Sequence, residues 1–178
     1  MASWGKRRVF ASADVSRSRK KRIKLLRICH INLSKELRGG EHQTVSLVQT
    51  LRHRVEQRVV VRRDSPLHKR LQKLALTGVE VTPVANSPIS ALRASRGTDL
   101  LHIHEGRSVV IGAMRSVLGT PFVLTRRVLK TPKSHVMTRW CYGRAEHVVA
   151  VSHAVGSVMN SYGVSTPVSM IYDCVATP

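Results

Sequence analysis

The residues best placed to do chemistry lie in two short stretches. In "DLLHIHEGRS" (99–108), His104 closes an apolar run, with Glu105 beside it and Arg107 three residues on. An imidazole at the end of a buried strand can hydrogen-bond a ligand hydroxyl or a backbone oxygen, and Glu105 could orient it. His102 faces the same side of the strand but lies deeper, and reads as a satisfied core histidine. In "TRRVLKTPK" (125–133), Arg126, Arg127, Lys130 and Lys133 follow another apolar run. Arginine forks there suit phosphate or carboxylate.

A third stretch, "ELRGGEHQTVSLVQTL" (36–51), sets Gly39 and Gly40 just ahead of an amphipathic run, with Glu41 next. Glycines allow unusual dihedrals and the close approach of a ligand, and a helix starting beyond them turns unpaired N–H groups toward an anion. A plain strand–helix turn explains the glycines equally well. The pattern is neither a dinucleotide fingerprint nor a P-loop.

Other chemistries lack their residues. Among nine histidines only His102 and His104 sit close together, and without a third ligand they do not build a zinc site. No metal is expected. Ser152 reads as a helix N-cap, since a nucleophilic serine would want a G-x-S-x-G elbow. Cys29, Cys141 and Cys174 are odd in number and form no CxxC pair, which suits a reduced, cytoplasmic protein.

The elements that must position these groups alternate along the chain. Apolar strands are expected at 25–31, 58–61, 79–84, 99–104, 121–125, 147–152 and 167–172. Helices are expected at about 41–53, from Ser65-Pro66 to a stop at Gly78, from Ser87-Pro88, and near 107–118, 134–144 and 153–162. Such alternation means right-handed βαβ crossovers and a parallel sheet covered on both faces: a doubly wound α/β domain. Ligands of such sheets bind beyond the carboxyl ends of the strands. One edge should therefore collect 32–41, 104–107, Arg126-Arg127, Ser152-His153 and Asp173-Cys174.

Charge adds a partner class. The chain of 178 residues carries a net charge of +20, which calls for an anionic partner such as nucleic acid, lipid headgroups or a phosphorylated glycan. Residues 1–24 hold nine basic side chains against Asp14 alone and read as a solvated arm, leaving 25–178 as one domain that is itself basic. No apolar run is long enough to cross a bilayer.

Five motifs in register carry a family resemblance. Gly39-Gly40-Glu41 matches a "GGxE" loop, and "DLLHIHE" (99–105) a "D-hydrophobic-hydrophobic-H-x-H-[DE]" strand. "PFVLTRR", "AEHVVAVSHAV" and "VSMIYDCVAT" follow in the family's order. Together they resemble the N-terminal, Rossmann-like domain of GT-B glycosyltransferases of family 4, of the type that builds lipopolysaccharide core and other envelope glycans. The resemblance implies sugar transfer from a nucleotide-sugar to a glycan or glycolipid acceptor, usually with retention and without metal. It implies that the loop Gly39, Gly40, Glu41 approaches the donor phosphates and sugar, and that His104 lies beside the reacting sugar. Glu105, Arg107, Arg126 and Arg127 would hold the acceptor. Peripheral contact with an anionic membrane on the cytoplasmic side would suit the charge.

Two positions depart from the family pattern: Arg127 stands where histidine is common, and Asp173-Cys174 replaces Asn-Gly. The family's second domain, with its nucleotide pocket, would follow Pro178, so the chain alone is expected to be inactive or nearly so, awaiting a partner polypeptide. A degenerate remnant is one alternative. A basic nucleic-acid-binding module is another, disfavoured because aromatics are only 4% and stacking platforms are therefore few.

Overall fold

A computed structural model describes residues 25–163 and 165–173. The basic arm 1–24 and Cys174 lie outside the described residues. Seven strands form one sheet: β1 (Arg27–Asn32), β2 (Glu56–Arg62), β3 (Val79–Val84), β4 (Leu100–Ile103), β5 (Phe122–Arg126), β6 (His147–Ala150) and β7 (Val168–Met170). Their spatial order is β3-β2-β1-β4-β5-β6-β7, and every neighbouring pair is parallel. The doubly wound expectation is met.

Among the described residues, six helices connect the strands: α1 (Gly39–Leu51), α2 (Pro66–Leu74), α3 (Pro88–Ala94), α4 (Val109–Val117), α5 (Val136–Gly143) and α6 (His153–Tyr162). A 3-10 turn, Gly106–Ser108, leads into α4. Each face of the sheet has its own core, because side chains alternate along a strand. Val59 and Val61 pack with Val45 and Val48 of α1 and Leu67 and Leu71 of α2. Cys29, Ile31, Val60, Leu101, Ile103 and Leu124 pack on the opposite face with Ala91, Ile111, Ala113, Cys141 and Met159 of α3 to α6. The chain thus winds one way from β1 and the other way from β4. The loops after these two adjacent strands diverge, and a crevice opens between them.

Local chemistry moves two boundaries. Helix α1 begins at Gly39, not beyond the glycines, because Glu41 Oε2 accepts from the Arg38 backbone N–H at 2.8 Å and makes Arg38 the N-cap. Both glycines therefore have helical dihedrals. Helix α2 ends at a left-handed Ala75 (φ 41°), ahead of the expected stop, and Gly78 (φ 82°) turns the chain into β3 instead.

Helix α4 rides close on the sheet because Gly112 has no side chain. A methyl group there would lie 2.6, 2.7 and 2.9 Å from three carbons of the buried Phe122 ring. Overpacking of this kind costs about 1–3 kcal/mol, against a helix-propensity gain of about 1 kcal/mol for alanine over glycine. Gly112→Ala is expected to lower stability by about 1 kcal/mol, read from urea unfolding. Adding Phe122→Leu should recover part of the loss. A Gly112→Ala protein as stable as the parent would mean that the helix is free to move out.

Candidate active site

The crevice at the carboxyl edge is an open cleft of about 1020 Å³. Three loop groups meet there: Gly40 and Glu41 at the start of α1, His104 to Arg107 after β4, and Arg126 and Arg127 after β5. The expected edge is thus assembled in its central part. Ser152 and His153 lie elsewhere. Ser152 caps α6 by accepting from Val155 N at 3.3 Å, and His153 lines a separate small hollow with Ser157 and Asn160.

Each arginine has a distinct position. Arg107 is exposed on the 3-10 turn and lines the cleft. Arg126 is buried and ties down the loop that follows it: its Nη1 donates to Tyr142 Oη at 3.2 Å and its Nη2 to the Lys130 carbonyl. Nη1 and Nη2 are thus committed within the protein, while Nε is buried without a partner. Gly106 leaves the space the guanidinium fills, since a Cβ at Gly106 would sit 2.8 Å from Arg126 Nη1.

Arg127 fits an anion better. Its Nε and Nη2 donate to the Asp173 carboxylate at 2.9 and 3.4 Å, while Nη1 is buried without a partner. Its Cδ lies 3.3 Å from where a Cβ of Gly40 would be, so the absent side chain at Gly40 admits the arginine. The two departures from the family pattern, Arg127 and Asp173, are therefore partners in one ion pair.

Glu41 and Glu105 hold the backbone. Glu41 closes the cap of α1, as above. Glu105 Oε1 accepts from Leu33 N at 2.8 Å and from Ser108 Oγ at 2.9 Å, which binds the loop after β1 to the turn after β4. Glu105 is bonded to Leu33 and Ser108 and not to His104, so it is not the residue that orients the imidazole.

The side chain that does meet the His104 ring is a third histidine, on β1. His30, buried in the middle of β1, stands opposite His102 across the β1–β4 ladder. Its Nδ1 is 3.0 Å from His104 Nε2, and its Nε2 is 3.1 Å from Gln57 Oε1. His102 Nε2 lies 2.7 Å from Thr125 Oγ1, with its ring centroid 4.0 Å from that of His104. His102 is half-buried and His104 buried, so the deeper position belongs to His104. The clue in the sequence was the polar residue inside the apolar run "RICHIN", facing the strand that bears the other two.

Burial pushes the His30 imidazole down to about 4, against the opposing pull of its bond to Gln57. Burial also holds His104 well below the ordinary histidine range, and the His102, His30 and Arg127 charges add to it. For His102 burial leads again, followed by His30 and Arg127. All three rings are therefore neutral at pH 7. Among the described residues, this trio is the group of three that could hold a metal ion, with one nitrogen from each within 4.8 Å of the others. An ion there would compete with the bonds to Gln57, Thr125 and the neighbouring ring.

Comparison with known proteins decides the family. Residues 28–177 match the model of Glycosyltransferase Family 4. The chain belongs to that family. No curated protein matches the chain. Among solved structures, HepE of Anabaena in complex with UDP-glucose is similar, with a TM-score of 0.69 and 18% identity. The match covers 83% of this chain and 44% of HepE. The lipopolysaccharide outer core galactosyltransferase WaaB gives a TM-score of 0.59 at 13% identity, over 84% of this chain and 46% of that one. An α-glucosyltransferase in complex with UDP and a 13-mer DNA gives 0.51 at 15%, over 85% and 43%. At these identities the likeness shows a shared fold, and the family 4 chain spans less than half the length of each of these three proteins. No helix among the described residues is long and apolar enough to cross a membrane.

Proposed function

We propose that this domain forms the acceptor side of a glycosyl-transfer site and touches the donor only at its phosphates and transferred sugar. The observation that carries the reading is the cleft at the β1–β4 switch point. There Arg127 offers one buried, unpartnered N–H group beside the first turn of α1, and His104 lines the same space. The division of charge suits a nucleotide-sugar: a cationic fork and a helix start for the diphosphate, neutral imidazole for the sugar.

The acceptor is a glycan or glycolipid held by Arg107 and the basic loop after β5, and the transfer needs no metal ion. Stabilising the departing diphosphate is the main catalytic demand, and a second, nucleotide-binding domain would meet it. Alone, this chain transfers no sugar. Exposed Val128, Leu129, Val136 and Met137 lie on and beside the rim, next to Lys130 and Lys133, and suit a lipid-linked acceptor at an anionic membrane surface. The alternative of a nucleic-acid module gains nothing specific from this geometry.

Titration of the ¹⁵N-labelled chain with UDP-glucose, followed by amide shifts, tests the reading. Weak, saturable shifts are expected at 39–41, 104–107 and Arg127, with no glucose transferred by the pure protein. Shifts spread over the basic surface and abolished by moderate salt would indicate mere charge attraction and would sink it. Turnover by the isolated chain would overturn the claim of a second required domain.

A further inference from the structure

The histidine trio includes one, His30, to which no role in sugar transfer has been given. Its surroundings determine where the protons of two rings must sit. The Val48 carbonyl, in α1, can only accept, so the Gln57 side-chain nitrogen must face it, at 3.0 Å. Gln57 Oε1 then faces His30 Nε2 at 3.1 Å and, being a carbonyl oxygen, requires a proton on that nitrogen. A neutral imidazole carries one N–H, so His30 Nδ1 is a bare lone pair. It lies 3.0 Å from His104 Nε2, and that contact is a hydrogen bond only if His104 Nε2 bears the proton. His104 Nδ1 is then bare as well, and it is buried with no partner in the protein.

We propose that His30 is a positioning residue that locks His104 in the Nε2–H tautomer, leaving Nδ1 as an acceptor, and no donor, on a ring that lines the cleft. The chain of bonds runs from the backbone of α1 through Gln57 and His30 to His104, crossing β2, β1 and β4. The neutrality it needs is supplied by burial and by neighbours that are themselves basic, His30, His102 and Arg127, while the adjacent Glu105 carboxylate is bonded to Leu33 N and Ser108 Oγ.

The lock discriminates by chemistry. A bare imidazole nitrogen pairs with an O–H donor and is repelled by phosphate, carboxylate or carbonyl oxygens, which have only lone pairs to offer. A ligand group that pairs with Nδ1 must therefore bring a donor, which on a nucleotide-sugar at this edge is a sugar hydroxyl, a statement that rests on the sugar-transfer reading above. Diphosphate oxygens are left to Arg127.

Long-range ¹H–¹⁵N spectra of the full chain, labelled on histidine rings, read the tautomers directly at neutral pH. His104→Gln and His30→Gln identify the signals. Both rings are expected as single Nε2–H tautomers in the parent protein. Gln57→Met removes the oxygen that fixes His30, and His104 should then lose its single tautomer and show averaged nitrogen shifts. An Nδ1–H or doubly protonated His104 in the parent overturns the proposal, as does an unaltered His104 spectrum in Gln57→Met. Should Gln57→Met fail to fold, the parent spectrum still decides. UDP-glucose should move the His104 Nδ1 signal in the direction of an accepted hydrogen bond, whereas UDP alone should not. Equal shifts from both overturn the hydroxyl assignment. The expected tautomers with no response to either ligand would count against sugar transfer while confirming the lock.

Discussion

Acidifying the protein from pH 7 to pH 4 is expected to remove about 3 kcal/mol of folding stability through histidines, most of it above the range where carboxylates titrate. The cause is the buried histidine trio. In the unfolded chain each ring takes up a proton as pH falls through its ordinary value near 6.5. In the folded chain His30 waits until about pH 4, and His102 and His104 are also held low. Across that window the unfolded state binds more protons, so stability declines as pH declines, and for His30 it levels off below about 4. At about 1.4 kcal/mol per unit, the shift of His30 from 6.5 to about 4 alone gives roughly 3 kcal/mol. That is a large part of the 5–15 kcal/mol typical of a domain. Urea unfolding at pH 7, 5.5 and 4 measures it. The onset near 6.5 separates histidines from carboxylates, whose titration begins about two units lower. A flat profile over this range would mean that the trio is not neutral in the folded protein.

Arg127→Ala is expected to weaken UDP-glucose binding about thirtyfold, corresponding to about 2 kcal/mol for a charge-assisted bond to the diphosphate. The side chain is only 14% exposed, so its cationic head sits where solvent screens little. One of its N–H groups is already desolvated without a partner, so an arriving phosphate oxygen gains a bond and removes an existing penalty. At ligand concentrations that half-saturate the parent, the variant should show almost no amide shifts. Asp173→Asn provides the contrast. It removes the competing negative charge, and binding should hold or tighten. Equal weakening in both variants would assign the pair to shaping the loop and not to holding the anion.

The strands and their order were legible because the inner parallel strands are largely buried and read as apolar runs, and because βαβ alternation admits one handedness. From that order alone, Gly40, His104, Arg107 and Arg127 could be placed at one edge. What could not be read were contacts set by register and by side-chain direction. His30 looked like one polar letter in a buried strand until β1 lay beside β4 and set it opposite His102. Arg126 and Arg127 are adjacent in sequence, but successive side chains point to opposite faces, so one clamps Tyr142 while the other reaches Asp173. Glu105 looked like a partner for His104, whereas its bonds go to Leu33 and Ser108. The α1 boundary slipped because the capping-box glutamate follows an arginine, and arginine is not among the residues that announce an N-cap.

Asp173 lies just beyond the sheet's last strand, and it is also the grip on the arginine nearest the start of α1. A displacement of the chain at that point is felt first by Arg127, across the width of β5 to β7. The ion pair thus works as a latch: the seating of the cleft's cation and the position of the backbone at Asp173 are one mechanical variable.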